Sequence, residues 1–254
     1  MASTLDWGLA DKVVVVTGAS SGIGAAIVRE LGSAGASVAL VGRDEERLQR
    51  EVAEVERRHG TALPVIADLE DPEAAVRVVS EAVGAFGGLD GLVHCASLFD
   101  PRPLEETTSD SFERQWRVNV AAPYRMTQAA LPHLRRESSI VFFASTIALV
   151  GFPGCSAYTA TKGATASLAR ALAVELAPRR IRVNVLAPGY VRTPMLQPHL
   201  DANAGYEDWI LERTPLGRIA GPDEIASTVL FLLSPLSAYV DGATLFADGG
   251  WVAQ

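Results

Sequence analysis

Between Lys12 and Gly35 the chain reads KVVVVTGASSGIGAAIVRELGSAG, and few folds accommodate that order of residues. The continuous β-branched run from Val13 to Val16 predicts a strand covered on both faces. It passes directly into Gly18-Ala19-Ser20-Ser21-Gly22-Ile23-Gly24 and then into a segment of helical period. Strand, glycine-rich turn and helix in immediate succession make a unit that cradles phosphate. The glycines let the backbone approach a pyrophosphate, and the helix N-terminus offers free N–H groups with partial positive charge. The glycines fall as GxxxGxG, not GxGxxG, so a tight βα turn without a ligand stands as the competing reading.

A second strand follows at Ser37–Gly42, and Arg43-Asp44-Glu45-Glu46-Arg47 opens the next helix. In a dinucleotide fold, an acid at the end of this strand bonds the ribose 2′-OH, whereas an arginine accommodates a 2′-phosphate. Here the strand ends on Gly42 and the next residue is Arg43. Asp44 reads as an N-cap, followed by acids suited to the positive helix end. The reading is NADP(H). NAD(H) is the alternative, with Asp44 turned back to the ribose and Arg43 a surface charge. A third strand over Leu63–Ala67 leads to Asp68-Leu69, where Asp68 suits an adenine amino group. Asp71-Pro72-Glu73 then starts a helix, and Gly91–His94 is a fourth strand entering Cys95-Ala96-Ser97.

Helical period runs from Ser109 to Arg136, with Phe112, Trp116, Val120, Tyr124, Thr127 and Leu131 apolar or semi-polar along it. Asn119 lies within this helix, and Pro123 four residues on cannot close the usual bond to its carbonyl. Such a carbonyl can hold a water; a satisfied core amide is the simpler account. A fifth strand, Ile140–Ala144, delivers Ser145, and a helix is predicted over Ala157–Ala177. Its small residues (Ala160, Gly163, Ala164, Ser167, Ala171) suit either a subunit interface or the chain's own sheet. Ile181–Leu186 is a sixth strand. Residues 190–217 then form a long irregular stretch of the kind that serves as a lid. A helix from Pro222 through Leu233 and a last strand over Ala243–Ala247 complete the pattern. Seven strands alternating with helices predict an α/β, doubly wound single domain over residues 1–254, with a mainly parallel sheet and helices on both faces.

The chemistry concentrates between Ser145 and Lys162, in STIALVGFPGCSAYTATK. Tyr158 and Lys162 are four apart, so a helix puts phenol and ammonium on one face. A phenol titrates near 10, and a neighbouring cation moves it toward neutrality. A Ser145 hydroxyl beside them can hold a carbonyl or alcohol oxygen. By chance alone, tyrosine and lysine at this spacing make a solvated helix face.

Composition excludes several alternatives. The net charge of −8 disfavours nucleic acid as a partner, and no apolar run reaches the ~18 residues of a membrane span. The start, MASTLDWGLADK, does not read as a secretory signal. Cys95 and Cys155, the only cysteines, are too few for a disulfide framework or a cysteine metal site, and they fit a reducing cytoplasm. No metal is expected.

With these residues assembled, the chain resembles the short-chain dehydrogenase/reductase family over essentially its whole length. The features that carry the resemblance are Thr17-Gly18-xxx-Gly22-x-Gly24, Asp68, Asn119, Ser145, the Tyr158-xxx-Lys162 pair and Pro188-Gly189. The resemblance implies a Rossmann-type fold and hydride transfer between a nicotinamide cofactor and a carbonyl or alcohol substrate. Tyr158 would be the general acid in reduction and the base in oxidation. Lys162 would bind the nicotinamide ribose and lower the tyrosine pKa, helped by the cationic ring of the oxidised cofactor and a dry pocket. Ser145 would orient the substrate oxygen, and Asn119 would hold a water linking Lys162 to solvent.

Cofactor contacts on this basis are Gly18, Ser20, Ser21, Gly22, Ile23, Gly24, Arg43, Asp68, Leu69, Ala96, Tyr158, Lys162, Pro188, Gly189, Val191 and Thr193. Ser97, Leu98, Ser145, Ile147, Cys155, Tyr158, Tyr190, Met195 and Leu196 would line the substrate pocket, with Trp209 a further candidate. The same resemblance implies a homotetramer built through the Asn119 and Tyr158 helices. One departure stands out. His94-Cys95-Ala96-Ser97 replaces the usual Asn-Asn-Ala-Gly, and His94 reads as a strand-end histidine, neither ligand nor base. The expected activity is NADPH-dependent ketone reduction. NAD-dependent oxidation of a secondary alcohol and a non-catalytic cofactor sensor are the alternatives.

Overall fold

The computed structural model describes residues 6–254. The reading of the N-terminal segment as lacking a secretory signal falls partly on residues 1–5, outside the described residues. Seven strands, β1 Val13–Thr17, β2 Ser37–Gly42, β3 Thr61–Ile66, β4 Leu89–His94, β5 Leu134–Phe143, β6 Arg182–Pro188 and β7 Thr244–Ala247, form one sheet in the order β3-β2-β1-β4-β5-β6-β7. Every neighbouring pair is parallel.

Alternate valines of β1 explain its unbroken apolar run. Val13 and Val15 pack into a core on one face, Val14 and Val16 into a second core on the other. Each fully buried valine contributes roughly 1.5–3 kcal/mol. After β1 the chain works outward to β3, then crosses back to β4, so the strand order reverses between β1 and β4. That crevice, at the C-terminal strand ends, is where doubly wound sheets bind ligands.

The nine α-helices of the described residues are α1 Gly22–Ser33, α2 Glu45–Arg57, α3 Ala74–Phe86, α4 Ser109–Trp116, α5 Ala122–Ala130, α6 Ser156–Leu176, α7 Gln197–Ala202, α8 Tyr206–Glu212 and α9 Pro222–Leu233. Three expectations need correction. The helix predicted over Ser109–Arg136 stops at Ala130, because Leu134 already pairs with Leu89 and Arg135 reaches the Asp90 carboxylate at 2.6 Å. The same segment is broken by a π-helical turn, Arg117–Ala121, where Pro123 denies Asn119 its ordinary helical partner. Residues 190–217 are not wholly irregular, since α7 and α8 lie within them.

The small-residue face of α6 is not spent on the sheet. Ala160, Ser167 and Ala171 are exposed, while Thr161, Lys162, Thr165, Ala169 and Leu172 are buried.

Candidate active site

The turn after β1 has the shape its glycines require. Gly18 has φ +70°, and a Cβ there would lie 2.9 Å from the Ala96 backbone; at Gly24 it would lie 2.0 Å from the Gly18 carbonyl oxygen. The turn is thus pressed against the end of β4 and folded back on itself, a path open only to glycine. The helix it opens, α1, has no side-chain cap from Ser21 and no acid in its first turn. Its leading N–H groups remain for an anion, which is the arrangement a pyrophosphate needs. Ser20 lies beside Gly42 at the end of β2.

At the next strand end, Asp44 is committed to α2. Its side chain accepts from the Arg47 backbone N–H at 3.0 Å and pairs with the Arg47 guanidinium at 3.1 Å. Arg43 is largely exposed, 4.0 Å from Asp68, whose carboxylate also caps the Glu70 N–H. Leu69 turns its side chain into the core. The dinucleotide contacts expected at Gly18 to Gly24, Arg43 and Asp68 therefore lie along the crevice beside β1.

Beyond the strand ends opens a cavity of about 290 Å³. Ile23, Ser97, Ser145, Ile147, Cys155, Tyr158, Lys162, Pro188, Gly189, Tyr190, Val191, Thr193, Met195 and Leu196 all line it. Segments far apart in sequence thus converge on one space. Trp209 does not line it; it stands behind, stacked on Tyr206 at 5.6 Å. Leu98 instead faces Asn119. Phe99, Phe152, His199, Tyr206 and Trp251 also line the cavity, outside the expected substrate contacts. They come from separate segments with no common period, so the only local signal was the Asp248-Gly249-Gly250 turn ahead of Trp251. Asp248 shapes that turn by accepting from the N–H groups of Gly250 and Val252.

Around Tyr158 and Lys162 the hydrogen bonds are specific. Lys162, almost wholly buried, donates from Nζ to the Phe143 carbonyl at 2.8 Å, and Nζ lies 5.3 Å from the Tyr158 ring centroid. Burial lowers the lysine to about 8. Burial also pushes Tyr158 up to about 12, against a smaller downward pull from the Ser97 hydroxyl. Burial thus acts against the lowering of the phenol expected from Lys162 and the oxidised cofactor ring. Desolvation by itself penalises phenolate, while the Lys162 ammonium keeps its charge and two N–H donors beyond its bond to Phe143.

Asn119 has its amide fully partnered. Oδ1 accepts from the Leu98 N–H at 2.7 Å and the Ser97 hydroxyl at 3.2 Å. Nδ2 donates to the Leu98 carbonyl and to Thr161 Oγ1. Its main-chain carbonyl, freed by Pro123, accepts from Thr165 Oγ1 at 3.2 Å, a proton shared with the Thr161 carbonyl. Ser145 Oγ accepts only a long 3.4 Å bond from the Ile147 N–H, leaving the hydroxyl proton for a ligand in the cavity.

The departures after β4 are also accounted for. His94 is buried, its ring tilted against Phe142 at 4.6 Å and bonded through Nε2 to Thr127 Oγ1 at 2.9 Å. Burial lowers it to about 3, so it is neutral. Burial raises the Cys95 thiol to about 12, against a smaller opposing effect of Lys162, and it raises Cys155 as well. Neither is an activated thiol. Among the described residues no group of His, Cys, Asp and Glu could hold a metal ion, and no helix is long and apolar enough to cross a membrane.

Comparison with known proteins gives the same family. A family profile described as "Enoyl-(Acyl carrier protein) reductase" matches residues 18–252. The chain is 37% identical over 246 residues to cyclopentanol dehydrogenase of Comamonas sp. (strain NCIMB 9872), covering 96% of this chain and 98% of that protein. It is 34% identical to a tropinone reductase homolog of Arabidopsis thaliana, covering 96% and 80%. A short-chain dehydrogenase from Burkholderia cenocepacia J2315, solved in complex with NADP, superimposes with a TM-score of 0.91 at 35% identity, covering 96% and 99%. The glycine turn at a sheet's switch point and the whole-length likeness agree. This chain belongs to the short-chain dehydrogenase/reductase family of NAD(P)-dependent oxidoreductases.

Proposed function

We propose that this protein reduces a ketone to a secondary alcohol at the expense of NADPH, reversibly. The observation that carries the reading is the convergence of Ser145, Tyr158 and Lys162 on one cavity that is also lined by Ile23, Gly189 and Thr193. Bound in the crevice, the reduced nicotinamide supplies a hydride to the carbonyl carbon. Tyr158 gives the proton at the carbonyl oxygen, and its burial keeps the phenol protonated and ready for that role. Ser145 donates its free hydroxyl proton to the same oxygen and fixes its orientation. Lys162 holds the nicotinamide ribose, and the second lone pair of the Asn119 carbonyl holds a water between Lys162 and solvent. In the oxidation direction Tyr158 must first lose its proton, which the cationic cofactor ring and Lys162 would favour.

Four observations support the finer points. Asp44 is already occupied and Arg43 is exposed, 4.0 Å from Asp68, which favours NADP(H) over NAD(H). The segment spanning α7 and α8 roofs the cavity through Met195, Leu196 and Tyr206, as a lid over residues 190–217 would in a single domain. Exposed rings on α4 and α5 and the small-residue face of α6 fit a homotetramer. The free cysteines fit a cytoplasmic protein.

Replacing Tyr158 with Phe should lower kcat for ketone reduction roughly 100- to 10,000-fold while NADPH still binds; retained turnover would refute the reading. The ratio of kcat/KM for NADPH over NADH, followed at 340 nm, tests the cofactor. Arg43→Ala should cut that ratio roughly 10- to 100-fold, the loss of one charge-assisted hydrogen bond. An unchanged ratio would return the choice to NAD(H).

A further inference from the structure

The wall of the cavity facing Tyr158 is aromatic, although aromatic residues make up only 7% of the chain. Tyr190 is the hub of this wall. Its ring meets Trp251 at 5.0 Å, Tyr206 at 6.2 Å and Trp209 at 6.5 Å, each near edge-on. Phe99 closes the other side, 4.8 Å edge-on from Tyr158 itself. Rings set edge-on around a slot present hydrogens and π-faces to a flat guest, the geometry aromatic pairs prefer.

The charged groups are as informative as the rings. No carboxylate or guanidinium is among the described residues lining the cavity, and its only lysine, Lys162, already donates to Phe143. Arg213 lies over the Trp209 ring at 4.4 Å, Arg192 pairs with Glu207 and Arg102 pairs with Asp100, all outside the lining. Apart from the Lys162 ammonium, which the reductase reading gives to the cofactor ribose, an ionised substrate would find no counter-charge among the arginine and carboxylate side chains. Part of the 290 Å³ must also admit the nicotinamide beside Ile23 and Thr193, so the guest is small.

One polar feature interrupts the aromatic wall. The hydroxyls of Tyr190 and Tyr206 are 3.2 Å apart and partly buried, and both residues line the cavity. Two hydroxyls carry two protons, and only one is used between them. The other proton has no protein acceptor among the described residues and can be offered into the cavity. Burial, reinforced by the Tyr206 hydroxyl, holds Tyr190 well above the usual phenol range, so the donor persists at working pH. A partly buried donor contributes to binding only when a ligand oxygen meets it.

We propose that the substrate is a small, flat, uncharged ring ketone carrying a second oxygen, and that the Tyr190–Tyr206 hydroxyl pair binds that oxygen while Ser145 and Tyr158 hold the reacting one. The inference rests on the ketone-reductase reading for the second half of that sentence, and its test reads binding separately from turnover.

Calorimetric titration of the NADP⁺-loaded protein with 3- and 4-hydroxyacetophenone, against the size-matched 3- and 4-methylacetophenones, measures the second contact directly. At least one hydroxyl compound should bind roughly 3- to 10-fold tighter than its methyl partner, the worth of one hydrogen bond. Acetophenone should bind at least about twofold tighter than cyclohexyl methyl ketone if the aromatic slot selects flat rings. Tyr206→Phe keeps the ring stacked on Trp209 and should reduce the hydroxyl preference; Tyr190→Phe with Tyr206→Phe should abolish it. Equal binding of hydroxyl and methyl compounds by the unaltered protein, or a preference that survives the double substitution, would overturn the proposal. Absence of NADPH-dependent reduction with the binding preference intact would overturn the reductase reading and leave the second-oxygen contact supported.

Discussion

His94 ends β4 where the family usually carries an asparagine, and proton bookkeeping defines its state. Thr127 Oγ1 donates its single proton to the Pro123 carbonyl at 2.9 Å, so it can only accept from His94. The proton therefore sits on Nε2 and the imidazole is neutral. Its folded pKa of about 3 lies far below the 6.5 of a free histidine. Between those values the unfolded chain binds the extra proton and the folded one does not. Stability is therefore full above pH 6.5 and falls as the pH drops toward 3. His94→Asn should remove this dependence. Between pH 7 and pH 4.5 the original protein should lose about 3 kcal/mol relative to the variant, read from urea unfolding at each pH. A gap that stays constant across that range would assign acid sensitivity to other groups.

At the scale of elements, what could be read from the sequence and what could not divide along the range of the forces involved. The turn from Gly18 to Gly24 and the Tyr158–Lys162 spacing were legible because each is local: a backbone path only glycine follows, and one helical turn. Pro123 marked the freed Asn119 carbonyl for the same reason, since a missing N–H acts on the carbonyl four residues back, but not the π-helical turn that results. The start of β5 was not legible. Leu134-Arg135-Arg136 carries helical period, and only pairing with β4 and the Asp90 carboxylate draws it into the sheet. The aromatic wall was hidden too, because Phe99, Phe152, Tyr206 and Trp251 meet only after the sheet has set its strand order. The burial that raises the Tyr158 phenol was not legible either, because sequence spacing reports the neighbouring ammonium but not the depth of the pocket.

For the whole molecule, the exposed rings need a partner or a reason. Phe112 and Trp116 stack at 6.4 Å and are 41% and 40% exposed, with Tyr124 at 47% further along. Isolated exposed rings are ordinary, but a cluster beside the bare small-residue face of α6 is the kind of apolar patch that association covers. Trp116→Glu should therefore shift the sedimenting species to half the proposed tetramer or less in analytical ultracentrifugation. An unchanged sedimentation coefficient would exclude this surface as the interface. The opposite face of α6 carries Thr161, Lys162 and Thr165, so an assembly gripping the helix from outside would steady the residues on its inner side.

The two sides of the cavity are fastened differently. Asn119 knots Ser97, Leu98 and Thr161 together beneath Tyr158, whereas Phe152, Met195, His199 and Tyr206 share no hydrogen bond with that knot among the described residues. New substrate preferences can accordingly arise in descendants of this gene by exchange on the loosely tethered flank, generation after generation, while the reactive flank is inherited unaltered.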